Sequence, residues 1–531
     1  MIDIENLSVE IKTETEKINA IRNLSLSLRQ GEILAIVGES GSGKTMVCRS
    51  IMELLPKSAK VTSGVIKAPK NEMAMVFQNP MTSLDPTMTI GKQLSYAIKS
   101  RNKIKDKTEI KNRAIELLKL VQIDRAEERY NQYPWQLSGG MRQRCVLAMA
   151  LGLEPKVLLA DEPTTALDVT VQASILGLIS SLREKLGLSI LFITHDLGVV
   201  AGIADRVAIM KAGSVVECDT TENVYHSPKH EYTKELMNSL PSNAGEFEVK
   251  SVENVETVLQ VKDLSHYFKL GRKSYIRAAN NVSFDIKHGE IFSIVGESGS
   301  GKSTLARCIL NMYKPNSGEI IYDENVVLAS DKVKMSREDK RKVSAEIRVI
   351  SQDSDTALNP HMTVRQVIEE PLLLHHMFKT KAEMYAYMEE LLDDVELPRT
   401  LMDQPVTMLS GGQRQRVSIA RAFGSKPKLL IADEPLASLD VTMQMQIVKL
   451  FAHLIKEHDT SMLFIAHDLS MVRFLSTRVG VMYKGELVEV GTTEEIFNNP
   501  KHEYTKKLIA AMPIPDPDIE REKIRLFKER V

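Results

Sequence analysis

The stretches EILAIVGESGSGKT at 32–45 and EIFSIVGESGSGKS at 290–303 decide how this chain folds. Each begins with a short apolar run that reads as a buried strand, and each run breaks into a glycine-rich turn. Both turns fit GxxxxGK[ST], a pattern with a physical mechanism. Glycines let the backbone curl so that successive N–H groups face inward at an anion, and the following helix offers its positive end to the same charge. Gly38, Glu39, Ser40, Gly41, Ser42 and Gly43 therefore form one expected phosphate cradle, and Gly296, Glu297, Ser298, Gly299, Ser300 and Gly301 the other. Lys44 and Lys302 are expected to reach the β- and γ-phosphates. Thr45 and Ser303 are expected to give a hydroxyl to Mg²⁺.

Working outward, the whole chain repeats. The loops recur at an offset of 258, whereas LSGGMRQR (137–144) and LSGGQRQR (409–416) lie 272 apart. The same 272 relates LLADEP (158–163) to LIADEP (430–435), FITHDL (192–197) to FIAHDL (464–469), and SPKHEYTK (227–234) to NPKHEYTK (499–506). The second copy thus carries about 14 extra residues, the difference between the two offsets, within the charged stretch 321–350. This length suits a duplicated domain rather than a solenoid unit. The expected division is 1–240, a polar linker at 241–257, and 258–531.

In each copy buried strands alternate with helical stretches, which predicts an α/β fold with a mainly parallel sheet. On such sheets ligands sit beyond the carboxyl ends of the strands, where the polar residues of these motifs fall. Asp161 and Asp433 close apolar runs and suit Mg²⁺. Glu162 and Glu434 follow at once and suit the polarisation of an attacking water. His195 and His467 stand 33 residues beyond those glutamates, again at strand ends, and are read as γ-phosphate contacts. Ser138, Gly139 and Gly140, with Ser410, Gly411 and Gly412, form turns that open helices. The serines suit N-capping, and the same geometry leaves backbone donors facing an anion.

In this order and twice over, these motifs resemble the ATPase subunits of ABC transporters. LSGGMRQRCVLAMAL, DEPTTALDVTVQ, QNPMTSLDPTMT and the KHEYTK segments are most similar to the oligopeptide, dipeptide, glutathione and nickel importers. The resemblance implies two tandem P-loop NTPase domains of the ABC type, each with an inserted helical subdomain, that bind ATP with Mg²⁺. It implies that Gln78 and Gln352 touch the metal and signal to membrane subunits, and that Asp168 and Asp440 make contacts across a head-to-tail intramolecular ATPase pair. The implied partners are two integral-membrane permeases and an extracytoplasmic substrate-binding protein, with this chain peripheral on the cytoplasmic face of the cell membrane. Some relatives hold an iron–sulfur cluster near the C-terminus; 505–531 contains no cysteine, so no cluster is expected. Relatives also stack adenine on an aromatic residue before the phosphate loop. The second copy offers Tyr275, with Tyr267 and Phe268 nearby, where the first has Lys17 and Ile18.

Composition narrows the alternatives. Lys plus Arg (69) against Asp plus Glu (70) gives a net charge of −1, which argues against a chain-wide attraction to nucleic acid. No apolar run approaches the roughly 20 residues that span a bilayer. Cys48, Cys145, Cys218 and Cys308 lack disulfide or zinc spacing. The rival reading, a soluble twin ATPase acting on ribosomes or DNA, would call for a long charged helical linker, zinc fingers or long coiled coils. None of these is present in the sequence.

Overall fold

The strand Ile33–Val37 is buried at all five positions, and the alternation of its side chains explains why. Ile33 joins one apolar cluster with Leu158, Ala160, Ile190 and Phe192, whereas Leu34 and Ile36 join another with Leu159, Leu191 and Ile193. Successive side chains of a strand point to opposite faces, so a continuous apolar run means a sheet covered on both sides. The computed structural model describes the chain except for residues 13–16, 102, 103, 105, 166, 242–255, 270–273, 324, 325, 331–334, 352–356, 438, 530 and 531. Most of the expected linker and Gln352 lie outside the described residues.

The chain divides into two compact units, Met1–Leu240 with Pro513–Val531, and Pro241–Met512. In the first, a six-stranded sheet runs Met73–Val76, Val157–Asp161, Ser189–Ile193, Ile33–Val37, Arg206–Lys211, Ser214–Thr220. The first five strands are parallel and the last is antiparallel. A three-stranded antiparallel sheet, Lys17–Leu28, Ile2–Lys12, Ala59–Lys67, supplies the cluster on one face. Helices between Met73–Val76 and Val157–Asp161, among them Ile90–Arg101, Lys107–Leu120 and Gly139–Leu151, add Leu94, Ile98 and Leu117 to the cluster on the other.

The second unit repeats the order as Ile347–Ile350, Leu429–Asp433, Ser461–Ile465, Ile291–Val295, Arg478–Tyr483, Glu486–Thr492. Its antiparallel sheet has a fourth strand, Val326–Ser330, and the helix Arg337–Glu346 follows. Both elements fall in the 321–350 stretch within which the change of offset placed about 14 extra residues.

The C-terminal segment departs from the division 1–240 and 258–531. Residues 513–531 pack within the first unit, where the helix Pro517–Glu529 lies on Leu197–Ile203 and Val169–Leu186. Ile524 is buried in that unit's core cluster. A Cβ added to Gly202 would meet Ile524 Cδ1 at 2.4 Å, so the absence of a side chain at 202 is what lets the helix approach. Arg521 donates to the carbonyl of Ala204 at 3.0 Å and pairs with Glu222. Ile524→Ala should cost about 2–4 kcal/mol of this docking. Limited proteolysis of the full chain is expected to cut earlier within 513–531, with both compact units intact.

Candidate functional site

In the first unit the loop from Gly38 to Gly43 joins the strand Ile33–Val37 to the helix Lys44–Ile51. Packing dictates its glycines from outside. A Cβ on Gly38 would lie 2.2 Å from the carbonyl oxygen of Met210, and one on Gly43 would lie 2.4 Å from that of Ala20. Gly41 has φ +79° and nothing within 4 Å, so this part of the loop faces open space. Lys44 Nζ donates to the carbonyls of Gly38 and Glu39, both at 2.7 Å. Lys302 does the same to Gly296 (2.7 Å) and Glu297 (3.0 Å).

Around each loop the other strand ends assemble. Thr45 Oγ1 donates to Asp161 Oδ1 at 3.0 Å, and Ser303 Oγ to Asp433 Oδ1 at the same distance. A hydroxyl beside a carboxylate is a hard-oxygen donor pair of the kind Mg²⁺ prefers. Glu162 and Glu434 adopt left-handed backbone, φ 47° and 49°, a conformation costing about 1–2 kcal/mol for a residue with a Cβ. Their N–H groups donate to Ile193 and Ile465 across the sheet, which holds the turn in place. Gln78 Nε2 and Thr165 Oγ1 donate to Glu162 Oε2 at 2.8 and 2.9 Å. His195 Nδ1 stands 3.3 Å from Glu162 Oε1, and His467 Nδ1 3.7 Å from Glu434 Oε2.

The structure thus brings Lys44, Thr45, Gln78, Asp161, Glu162 and His195 into one linked group. The second unit does so for Lys302, Ser303, Asp433, Glu434 and His467. The signature turns are not part of these groups. Ser138 Oγ accepts from Met141 N and caps Gly139–Leu151; Ser410 and Gln413 form a reciprocal capping box on Gly411–Phe423. A Cβ on Gly140 would strike Val171 at 2.5 Å and one on Gly412 would strike Met443 at 2.0 Å, whereas Gly139 and Gly411 meet nothing closer than 3.8 Å. Gly140 is packed against the stiff side chain of Val171, whereas Gly412 meets only the movable tip of Met443, and the first glycine of each turn leaves the helix terminus open to a ligand. Among the candidate aromatics, Tyr267 donates to Asn280 and Phe268 packs edge-on to His266 and Tyr313. Tyr275, 57% exposed, begins the strand Tyr275–Lys287 as Lys17 begins Lys17–Leu28.

Electrostatics divides the adjacent carboxylates. Burial raises the pKa of Asp161 and of Asp433 above the usual carboxylate value. Burial pushes Glu162 the same way, but the hydrogen bond and charge of His195, with Thr165 and Lys44, outweigh it and hold Glu162 at about 2. The nearby His467 likewise lowers Glu434. Both histidines are raised: His195 against its burial by Glu162, and His467 chiefly by its contact with Glu434.

The second of the repeated KHEYTK segments reaches its loop in a way the sequence did not disclose. Tyr504, on the helix Glu503–Ala511, accepts the N–H of Glu297 at 3.0 Å and stacks on Tyr483 with ring centres 4.1 Å apart. His502 Nδ1 accepts from Tyr504 N, and Glu489 accepts the N–H groups of Lys501 and His502. His230 and Glu217 build the same turn in the first unit. The only signal in the sequence was the recurrence of the segment at the common offset.

Residues 21–165 and 279–437 match the ABC transporter family, across more than half of the chain. The chain belongs to the ABC transporter family. Residues 216–263 and 488–530 match the C-terminal region of oligopeptide/dipeptide transporters, which takes in both KHEYTK segments. The chain is 40% identical to the glutathione import ATP-binding protein GsiA of Escherichia coli O157:H7 and 39% identical to that of Shigella flexneri. Each alignment covers 98% of this chain and 91% of the relative. The archaeal ribosome recycling factor aABCE1, solved with the stalk protein aP1, matches with a TM-score of 0.62 at 20% identity over 92% of this chain and 90% of that one. That likeness concerns the fold alone. The chain is a nucleotide-binding ATPase of the peptide-importer branch, and the relatives covering its whole length favour this over the ribosome- or DNA-acting alternative. No described helix is long and apolar enough to cross a membrane. As the ATP-binding subunit of an ABC importer, the chain implies membrane permease partners.

Two tests follow from the geometry. The raised His195 makes its ion pair complete below the ordinary histidine value near 6.5 and weakens it as pH rises through the folded value. The lowered Glu162 keeps the pair intact down to about pH 2. The thermal stability of nucleotide-free protein relative to His195→Asn should therefore be greatest near pH 5–6 and shrink towards pH 9; a constant difference would refute the pairing. Tyr504→Phe, which keeps the stack and removes the hydroxyl, should raise the KM for ATP at the second site about 2- to 5-fold, the effect of one modest hydrogen bond. Measured in a Lys44→Ala background, its kcat should stay unchanged.

Proposed function

We propose that this chain hydrolyses ATP at two sites to drive import of small peptides, glutathione among them, through two permease subunits supplied by an extracytoplasmic binding protein. The observation that carries the reading is that both units keep the full chain of lysine, hydroxyl, aspartate, glutamate and histidine, with equal lysine–carbonyl (2.7 Å) and hydroxyl–aspartate (3.0 Å) distances. The relatives named for glutathione import support the cargo class. The chain then works at the cytoplasmic face of the membrane, as a peripheral subunit.

In this reading Thr45, Asp161 and Gln78 would hold Mg²⁺ at the first site, and Ser303, Asp433 and Gln352 at the second, and the ion would offset phosphate charge. Lys44 and Lys302 exchange loop carbonyls for phosphate oxygens. Glu162 and Glu434 orient and polarise the attacking water; a carboxyl held as low as Glu162 is ionised throughout and acts by charge and position more than by holding a proton. His195 and His467 contact the γ-phosphate. We place adenine against Tyr275 in the second site and against Ile18 and the stem of Lys17 in the first. The open turns at Ser138–Gly139–Gly140 and Ser410–Gly411–Gly412 complete the opposite sites in a head-to-tail pair, with Asp168 and Asp440 across it.

Glu162→Gln and Glu434→Gln should each lower turnover at their own site by roughly 10²–10⁴-fold. ATP binding should be retained in both. ATPase rate and glutathione uptake into vesicles carrying the permeases report this. If either substitution left both quantities unchanged, the corresponding site would not drive transport.

A further inference from the structure

The helix Leu197–Ile203 begins two residues after His195 and is capped by Asp196, whose Oδ1 accepts the N–H of Val199 at 3.2 Å. All seven of its residues are buried. A helix packed on a sheet ordinarily keeps one face in water, and the counterpart Leu469–Leu475 does so: Ser470 and Phe474 are half-buried and Arg473 is exposed. What covers the first copy is the C-terminal segment. A Cβ on Gly198 would meet Pro513 Cβ at 2.6 Å, and one on Gly202 would meet Ile524 Cδ1 at 2.4 Å and Glu520 Cγ at 2.8 Å. At the common offset of 272, Gly198 and Gly202 become Ser470 and Phe474. Phe474, the side chain that would bar such a segment from the second copy, packs on that unit's own core.

The covered helix is tied to the site at its other end. Gln172, on Val169–Leu186, donates through Nε2 to Asp196 Oδ2 at 3.1 Å, so the two helices on which Pro517–Glu529 lies are joined beside His195. In the second copy the matching Gln444 donates instead to the carbonyl of Leu436 at 3.1 Å. The histidines differ in step with this. His195 Nδ1 is 3.3 Å from the carboxylate of Glu162, within hydrogen-bond reach, whereas His467 Nδ1 stands 3.7 Å from that of Glu434. The segment also brings a carboxyl into the contact. Glu520 is only 4% exposed and accepts from Ile514 N and Lys523 Nζ, both at 2.9 Å. Burial, reinforced by the charge of Asp196, pushes its pKa up. A buried polar group that must meet its donors fixes the register of a contact where apolar packing alone would let it slide.

We infer that residues 513–529 are a positioning segment of the first nucleotide site: seated on Gly198 and Gly202, they hold Asp196, and hence His195, where the imidazole meets Glu162 and the γ-phosphate. ATP at the first site and docking of the segment are then linked, each strengthening the other. The inference rests on the reading above in which His195 contacts the γ-phosphate.

ADP lacks that phosphate, so the segment should act on ATP and not on ADP. The full chain in a Lys302→Ala background isolates the first site. There Ile524→Ala loosens the segment, and Gly202→Phe gives the first helix the second unit's residue. Each should lower ATP affinity and kcat roughly 2- to 30-fold, the range for residues that act through packed neighbours, and leave ADP affinity unchanged. His195→Asn should already lose the preference for ATP, and adding Ile524→Ala should change it no further. In a Lys44→Ala background, which isolates the second site, Ile524→Ala should alter neither nucleotide's affinity. By reciprocity, a non-hydrolysable ATP analogue should slow proteolytic cutting within 513–531, and ADP should not. No change in either variant, equal losses for ATP and ADP, or additive effects of Ile524→Ala and His195→Asn would make the segment a structural cover and overturn the inference. If His195→Asn itself left the preference for ATP over ADP intact, the γ-phosphate reading would fail, and the inference with it.

Discussion

Everything in each half of the molecule is arranged around a buried ammonium group. Lys44 and Lys302 are only 6% and 4% exposed, and a cation removed from water has to find oxygen atoms at close range. The loop supplies them by turning the carbonyls of its first two residues inward, and that curl is what sets the remaining amides around an anion-sized space. From outside, the backbones of Met210 and Ala20 press against Gly38 and Gly43 so closely that no Cβ fits. The loop is therefore held between an inner electrostatic demand and an outer steric one. Its position at the end of the central strand brings the ends of the neighbouring strands within hydrogen-bond reach.

Adjacent carboxylates then take up different chemistry through their surroundings alone. Asp161 lies in the drier environment beside the hydroxyl of Thr45, and burial raises its pKa. Glu162, the next residue, turns by a left-handed backbone step towards His195, Gln78 and Thr165, whose donors keep it ionised. Neighbouring groups pushed in opposite directions hold their negative charge with very different firmness. The strain at φ 47° is accepted because a right-handed residue would send the carboxylate elsewhere.

The two copies share this centre and differ at the edges. The second gains a strand and the helix Arg337–Glu346; the first gains the helix Pro517–Glu529, which arrives from the far end of the chain. Duplication preserved the strand-end groups, where small displacements are costly, and allowed the copies to diverge away from them.

The sequence by itself determined the repeated domain, the buried strands, the phosphate loops and the carboxylates and histidines at the strand ends. These follow from local spacing: apolar runs of five, glycines at set positions, polar residues directly after a strand. It also located the insertion, through a change of offset from 258 to 272. Only the tertiary structure decided that Pro517–Glu529 packs on the first unit, because an amphipathic helix announces that it has an apolar stripe but not which distant surface will cover it. Tyr504 at the loop is of the same kind. Both join residues more than 70 positions apart, and such pairings depend on strand order and helix packing, which no local pattern encodes.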